Sequence, residues 1–450
     1  MRINTGNRDL TSGAVWKVIL RFAFPLLIGN LLQQLYNVTD SVIVGQFLGK
    51  ESLAAVSASF FIYYFIISLV IGIGSGTSVV ISQFFGAKEF DKVQKAFSSF
   101  FIFMLVAGVL LSIAGIIFAE PMFRLTNTPE DVIPQAVAYF RIYVGGTFLF
   151  VTFNSIISIL RGVGESVRPM LFILLTTILN IALDLLFIVV SNGDRRSGTG
   201  YGDRPRDRHV RGPRLREQHP SPALYQETGF IVRYGTVQGR LRIGLPSSVQ
   251  QCAISLGLIA LLGIVNSFGT DTLTAYGAAG KIDTIIIQAV LTLSGALAAF
   301  CGQNIGAGHL DRVRDGVRFA MLVNLLLGLA TFTAIYFFGD KMMLAFTKDP
   351  EVIRIGKEYL LIMGGFFIVH GGLNVFNGAL RGAGDTLFPM AVSITCLWLI
   401  RIPLAYWFSS IWGRSGIWWA IGASLCIGLT ITYIYYKLGF WKNKGPLRKK

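Results

Sequence analysis

Residues 83–93 read QFFGAKEFDKV, and residues 303–313, which lie 220 positions later, read QNIGAGHLDRV. A second pair of stretches has the same spacing, since residues 160–166 read LRGVGES and residues 380–386 read LRGAGDT. Single residues keep the spacing too: Asn154 corresponds to Asn374. Matches of this kind at one distance indicate that the chain consists of two similar halves.

The composition places both halves in a membrane. Hydrophobic residues make up 53% of the chain and charged residues only 14%, whereas soluble domains carry about 25% charged residues. A spanning helix needs about 20 mostly apolar residues. Eleven stretches have that character, at residues 16–38, 53–82, 97–119, 133–157, 168–190, 243–266, 273–300, 317–338, 354–377, 388–409 and 415–436. The composition excludes a disordered chain, and it makes a soluble enzyme of ordinary composition a poor interpretation.

The basic residues are concentrated in alternate loops. Lysines follow the second span at residues 88–95 and arginines follow the fourth at residues 161–168, whereas the loops after the first and third spans are mixed or acidic. The positive-inside rule therefore predicts a cytoplasmic N-terminus and a cytoplasmic tail, residues 437–450. Basic loops recur at matching positions of the two halves. The halves should thus be parallel repeats about an axis along the membrane normal, which is a transporter architecture.

One stretch, residues 191–235, does not fit this plan. Parallel lobes need an even number of spans each, but the first half has five, and residues 191–235 contain nine Arg and four Pro where a sixth is due. Nine arginines are too costly to insert as a helix. The stretch is a basic functional loop or nucleic-acid arm, a lineage-specific insertion, or the product of a reading-frame error. The constant spacing leaves no room for an insertion, and residues 192–205, back-translated and read one nucleotide later, give apolar helix-like text. We favour the frame error.

The predicted fold is therefore an all-α polytopic membrane protein with two parallel six-helix lobes. This arrangement has twelve transmembrane helices, and the anomalous residues 191–235 disrupt the sixth. The N-terminal lobe spans residues 1–190 with five helices, and the C-terminal lobe spans residues 236–436. Residues 191–235 carry nine Arg and five acids, which is +4 of the net charge of +16. The remaining +12 follows the cytoplasmic loops and the tail, so it predicts topology and not nucleic-acid binding. The four His are scattered and the four Cys lie in apolar runs, so no catalytic or metal-binding cluster is expected and the chain should not be an enzyme.

Several motifs together resemble the multidrug and toxic compound extrusion (MATE) transporters of the DNA-damage-inducible (DinF-like) type. They are QQLYNVTD at residues 33–40, both Gly-Ala loops, both Leu-Arg-Gly-x-Gly loops and LNIALD at residues 179–184. The resemblance covers the chain except residues 191–235. It implies a secondary antiporter that exchanges H⁺ or Na⁺ for amphipathic, often cationic organic compounds, with no cofactor besides the coupling ion. The alternative is a lipid-linked oligosaccharide flippase of the same superfamily, for which Arg401 is the only candidate cation in the cavity.

Two acids, Asp40 and Asp184, lie inside apolar spans. An intramembrane carboxylate is costly, so its default interpretation is functional; a buried Asp that only fixes packing is the alternative. Asn180 precedes Asp184 by four residues and shares its helix face, while the second half has Ile400 and Leu404 at the corresponding positions. A carboxylate pair with an amide can bind Na⁺ or take up a proton. The resemblance implies this ion-coupling role for the three residues.

Four polar side chains in apolar helices are candidates for the substrate cavity: Gln34, Tyr36, Asn37 and Asn154. They either hydrogen-bond a substrate or form contacts between helices. The expected partners are drug-like small molecules and membrane lipids, without nucleic acid. We expect a monomer in the inner (plasma) membrane.

Overall fold

A computed structural model describes residues 9–47, 49–125, 133–196 and 234–443. Within these ranges the chain is helical apart from short connections and the segment before the first helix. This is expected, because a lipid-embedded backbone must satisfy its own hydrogen bonds. The first half forms six helices: α1 (Val15–Phe47), α2 (Gly49–Gly86), α3 (Phe90–Leu125), α4 (Ile133–Gly145), α5 (Thr147–Gly162) and α6 (Val167–Arg196).

The second half repeats this order. Its helices are α7 (Tyr234–Asn266), α8 (Thr270–Gly306), α9 (Leu310–Leu344), α10 (Pro350–Gly382), α11 (Leu387–Ile394), α12 (Ile402–Trp412) and α13 (Arg414–Leu438). A π-helical turn, Thr395–Arg401, joins α11 to α12 without a break, and a short 3₁₀ helix, Phe440–Asn443, follows α13.

The described helices account for the eleven predicted spans. Nine helical stretches are long and apolar enough to cross a membrane, and α4 and α5, bent by 43°, form a tenth span together. The remaining prediction corresponds to α6, in which Val167–Leu183 is apolar. Residues 197–233, which hold most of the anomalous stretch, lie outside the described residues, so the frame error stays a prediction.

Both repeated motifs fold in the same way in the two halves. In each, a backbone amide donates to the carbonyl five residues earlier; the donors are Glu89, Glu165, His309 and Asp385, at 3.0, 2.8, 2.7 and 3.0 Å. The residue before each donor has a positive φ, at Lys88, Gly164, Gly308 and Gly384. Left-handed backbone of this kind ends a helix sharply and favours glycine. The sequence repeat is thus a structural repeat down to single hydrogen bonds.

The two lobes exchange contacts through their first helices. α1 packs against α8 of the other lobe, and α7 packs against α2. Ile19, Phe22 and Leu26 of α1 are buried in one cluster with apolar residues of α8, α9 and α10. On the other side, a Cβ added to Gly72 of α2 would overlap the backbone of Ser248 of α7. A continuous core therefore joins the lobes.

One face of the bundle, here named the basic face, carries the four motif turns and the segment before α1. Lys92 and Lys95 lie exposed at the start of α3, as do Arg314 and Arg318 at the start of α9. The opposite face carries the connections α7–α8, α9–α10 and α12–α13. The alternation of basic loops predicted from the sequence corresponds to this division.

Candidate functional site

The two helices that carry the predicted coupling residues lie in direct contact. A Cβ built on Gly29 of α1 would lie 3.4 Å from Cα of Met170 and 3.3 Å from Cδ1 of Ile173, both on α6. The backbone is helical at positions 40 and 184, on the two helices that this contact joins. The side chains of Asp40 and Asp184 lie outside the described residues, so their pairing stays a prediction.

Asn180 supplies the described part of this site. Its side chain is half-buried on α6, and its Oδ1 is a buried oxygen that accepts no hydrogen bond within the described part of the chain. A buried acceptor without a partner costs about 1–3 kcal/mol, so such an atom calls for a ligand, a water molecule or an ion. An amide oxygen of this kind fits a Na⁺ ligand.

The predicted cavity residues are only partly described. Gln34 is half-buried on α1, whereas the side chains of Tyr36 and Asn37 lie outside the described residues. Asn154 of α5 donates from Nδ2 to the Phe150 carbonyl at 2.9 Å. One of the two Nδ2 hydrogens is thus used within its own helix, so the second Nδ2 hydrogen and the carbonyl oxygen are the groups through which Asn154 would contact a substrate.

The second lobe contains an intramembrane acid that the sequence interpretation missed. Asp283 of α8 accepts a hydrogen bond from the Tyr359 hydroxyl of α10, with 3.3 Å between the oxygens. The Tyr359 ring also packs edge-on against Trp418 of α13, at 4.9 Å between centroids. Asp283 lies inside the predicted span 273–300, so the rule that singled out Asp40 also applies to it.

Arg401 lies in the same part of the second lobe. Its Nε donates to the Ser424 hydroxyl at 2.9 Å, and Ser424 is fully buried on α13. A hydrogen bond to a neutral hydroxyl therefore holds the guanidinium and joins the π-helical turn to α13.

The acids of the two lobes occupy non-equivalent positions. At the repeat spacing Asp283 corresponds to Tyr63 of α2, which is buried against the Tyr143 ring at 4.4 Å between centroids. Each lobe thus has its own polar arrangement on a shared scaffold. Among the described residues no three His, Cys, Asp or Glu side chains come together as metal ligands would.

The family model that matches the chain is MatE, which aligns twice, to residues 25–186 and to residues 246–407. The two matches are offset by 221 residues, and together they cover more than half of the chain. The stretch between the matches includes the anomalous residues 191–235.

Curated relatives match over nearly the full length. "Probable multidrug resistance protein YoeA" of Bacillus subtilis is 29% identical over 97% of this chain and 96% of its own length. An "FAD transporter" of Shewanella oneidensis is 23% identical over 95% of this chain and 96% of its own length.

Solved structures match the whole fold. The structure titled "Outward-facing conformation of a multidrug resistance MATE family transporter of the MOP superfamily" has a TM-score of 0.81 at 24% identity, over 96% of this chain and 98% of its own. At this identity the likeness shows the fold, which is the predicted arrangement of two parallel six-helix lobes.

Proposed function

Because the chain belongs to the MatE family, we propose that it is an efflux antiporter that exports amphipathic, often cationic organic compounds in exchange for H⁺ or Na⁺. Family membership makes it a multi-pass membrane transporter and not an enzyme. Relatives over nearly its whole length are named multidrug resistance proteins, which supports drug-like substrates.

The observation that supports ion coupling most directly is the buried Oδ1 of Asn180, which accepts no hydrogen bond from the described residues. α6 carries this atom four residues before Asp184, and α1, which carries Asp40, packs against α6 at Gly29. Asn180, Asp40 and Asp184 would together offer hard oxygen ligands to Na⁺. A proton would instead neutralise one of the carboxylates, whose charge is costly inside the membrane.

The orientation follows from the basic face. Its exposed lysines and arginines support cytoplasmic N- and C-termini in the inner membrane. Large apolar side chains such as Ile142, Phe337 and Leu399 are more than half exposed on the helix surfaces, which suits contact with lipid tails. The two lobes bury their interface within one chain, so we propose a monomer.

Dye efflux from cells that express the full chain with its reading frame restored across residues 191–235 tests the function and the coupling site together. We expect Asp40→Asn, Asp184→Asn and Asn180→Ala each to reduce efflux driven by a H⁺ or Na⁺ gradient by roughly tenfold or more. Asp311→Asn, which changes an exposed acid at the start of α9, is the matched control and should transport normally. Undiminished gradient-dependent efflux in all three site variants would refute the assigned site, and absence of efflux from the unaltered chain with its reading frame restored would refute the function.

A further inference from the structure

The two Gln-x-x-Gly stretches meet each other on the basic face, where the lobes touch. α2 and α8 cross there so closely that a Cβ on Gly86 would overlap the Gln303 carbonyl, and a Cβ on Gly306 would overlap the Gln83 carbonyl. Gly302 is likewise in contact with Ser82. Backbone thus packs on backbone across the axis that relates the lobes.

Two glutamine side chains connect the lobes at this crossing. Gln83 donates from Nε2 to the Gly382 carbonyl at 2.8 Å, and Gln303 donates from Nε2 to the Gly162 carbonyl at 3.3 Å. Each glutamine therefore bonds the Leu-Arg-Gly turn of the opposite lobe. Both side chains are fully buried.

The segment before α1, residues 9–14, here named the strap, covers one side of this crossing. The Leu10 amide donates to Oε1 of Gln303 at 3.0 Å, and Nδ2 of Asn304 donates to the Leu10 carbonyl at 3.1 Å. Arg312 adds a bond from Nη1 to the Gly13 carbonyl at 2.8 Å. Leu10 itself is only 3% exposed, so the strap excludes water from the Gln303 amide.

The interface continues from the crossing towards the membrane interior. Asn30 of α1 donates to the Thr292 hydroxyl of α8 at 2.8 Å, and Ser248 of α7 donates to the Leu69 carbonyl of α2 at 2.7 Å. These hydrogen bonds, together with one between the Ser68 and Cys252 side chains at 3.0 Å, extend from the basic face to about the middle of the helices. These bonds close that face.

We propose that Gln83 and Gln303 are positioning residues that lock this face shut, and that both of their bonds between lobes break once in every transport cycle. A buried amide that loses its partner is costly unless water replaces it. With the lobes together, both Nε2 groups have a carbonyl partner and Oε1 of Gln303 accepts from Leu10, whereas the buried Oε1 of Gln83 has no partner among the described residues. The two Nε2 donors are therefore satisfied with the lobes together, or with the face open and hydrated. A conformation between these states leaves buried amides unpaired, so the pair favours an all-or-none opening.

The two Leu-Arg-Gly turns have the acceptors that such a lock needs. Gly162 and Gly382 are the last residues of α5 and α10, and carbonyls at a helix C-terminus have no partner within the helix. A carbonyl in mid-helix would already be bonded. The repeat thus places the same donor and the same acceptor in each lobe, so that two reciprocal bonds form when the lobes close.

The test measures the distance between the lobes in the purified full-length chain. Spin labels at Lys95→Cys and Asp315→Cys, two exposed positions at the starts of α3 and α9, report opening by double electron–electron resonance after the four native cysteines are replaced. Gln83→Met and Gln303→Met remove the amide and keep side-chain length. We expect each to raise the population with the longer distance roughly two- to tenfold, and the double variant to raise it further.

Gln94→Met is the matched control, because Gln94 is exposed on α3 near the same face; it should leave the distances unchanged. The melting temperature of each variant separates opening from unfolding, since a merely structural role would lower stability without adding a second discrete distance. If the double variant does not fold, the two single variants carry the test. Unchanged distances in folded variants of both glutamines, or an equal shift in Gln94→Met, would overturn the proposal.

Discussion

At the scale of single residues, Lys88 carries strain that its counterpart avoids. Among the described residues it is the only non-glycine with a positive φ, at 59°, and the repeat places Gly308, with φ 80°, at the same position of the second lobe. A Cβ in the left-handed region costs about 1–2 kcal/mol. Replacing Lys88 by glycine would remove this cost, but the greater conformational freedom of glycine in the unfolded chain would offset part of the gain in stability.

We therefore expect Lys88→Gly to stabilise the chain by about 0.5–1 kcal/mol and Gly308→Ala to destabilise it by about 1 kcal/mol. Thermal unfolding in detergent measures both changes. Lys95→Gly, within the regular part of α3, is the control and should be destabilising because glycine weakens a helix interior. Equal losses of stability in Lys88→Gly and Lys95→Gly would show that the backbone at Lys88 is not strained.

Single residues also show where sequence reasoning ends. An acid in an apolar span singled out Asp40 and Asp184, and helical spacing placed Asn180 beside the latter. The same signal applies to Asp283, which the sequence interpretation missed, and the role of this acid depends on Tyr359, which is 76 residues away. No local pattern connects the two, because only the packing of α8 against α10 brings them together.

At the scale of elements, two spans depart from regular α-helix at positions where glycine or proline favours such a departure. The predicted span 133–157 is bent by 43° between α4 and α5, where Gly145 and Gly146 adjoin. The predicted span 388–409 contains a π-helical turn just before Pro403. Glycine weakens a helix, and proline has no amide to donate. The extent of the spans could be predicted from hydropathy, whereas the bend and the wider turn depend on how neighbouring helices pack.

The contact between α1 and α6 yields a prediction for the coupling site. Gly29 leaves room only for a small residue, because a Cβ would lie 3.4 Å from the Met170 backbone. Gly29→Leu should force the helices apart, lower stability by about 1–3 kcal/mol and impair gradient-driven efflux by separating Asp40 from Asp184. Efflux assays and thermal unfolding measure the two effects.

Gly263→Leu is the matched control, since Gly263 lies in α7 with nothing within 4 Å of an added Cβ. It should be neutral or stabilising, because leucine is the better helix former. Comparable losses of efflux and stability in Gly29→Leu and Gly263→Leu would show that transport does not require the close contact between α1 and α6.

At the scale of the whole molecule, the repeat in the sequence predicted two lobes of one orientation, and the fold confirms it. The repeat could not show that α1 would pack on α8 and α7 on α2, because pairing between lobes leaves no periodic pattern in either half. The same limit applies to Gln83 and Gln303. They were visible as repeated letters, but each one's acceptor lies in the other lobe's Leu-Arg-Gly turn.

The repeat also makes a prediction about residues 191–235, where its second copy has a span and its first has nine arginines. A lobe with five crossings would invert its partner and place Arg312, Arg314 and Arg318 on the side that the positive-inside rule disfavours. We therefore expect resequencing of the gene across codons 185–240 to find a shifted reading frame. Restoring the frame should produce efflux that the chain with the present residues 191–235 lacks, at matched membrane expression. An undisturbed gene, or equal efflux from both chains, would show that two lobes of this family can be joined without a sixth apolar span in the first.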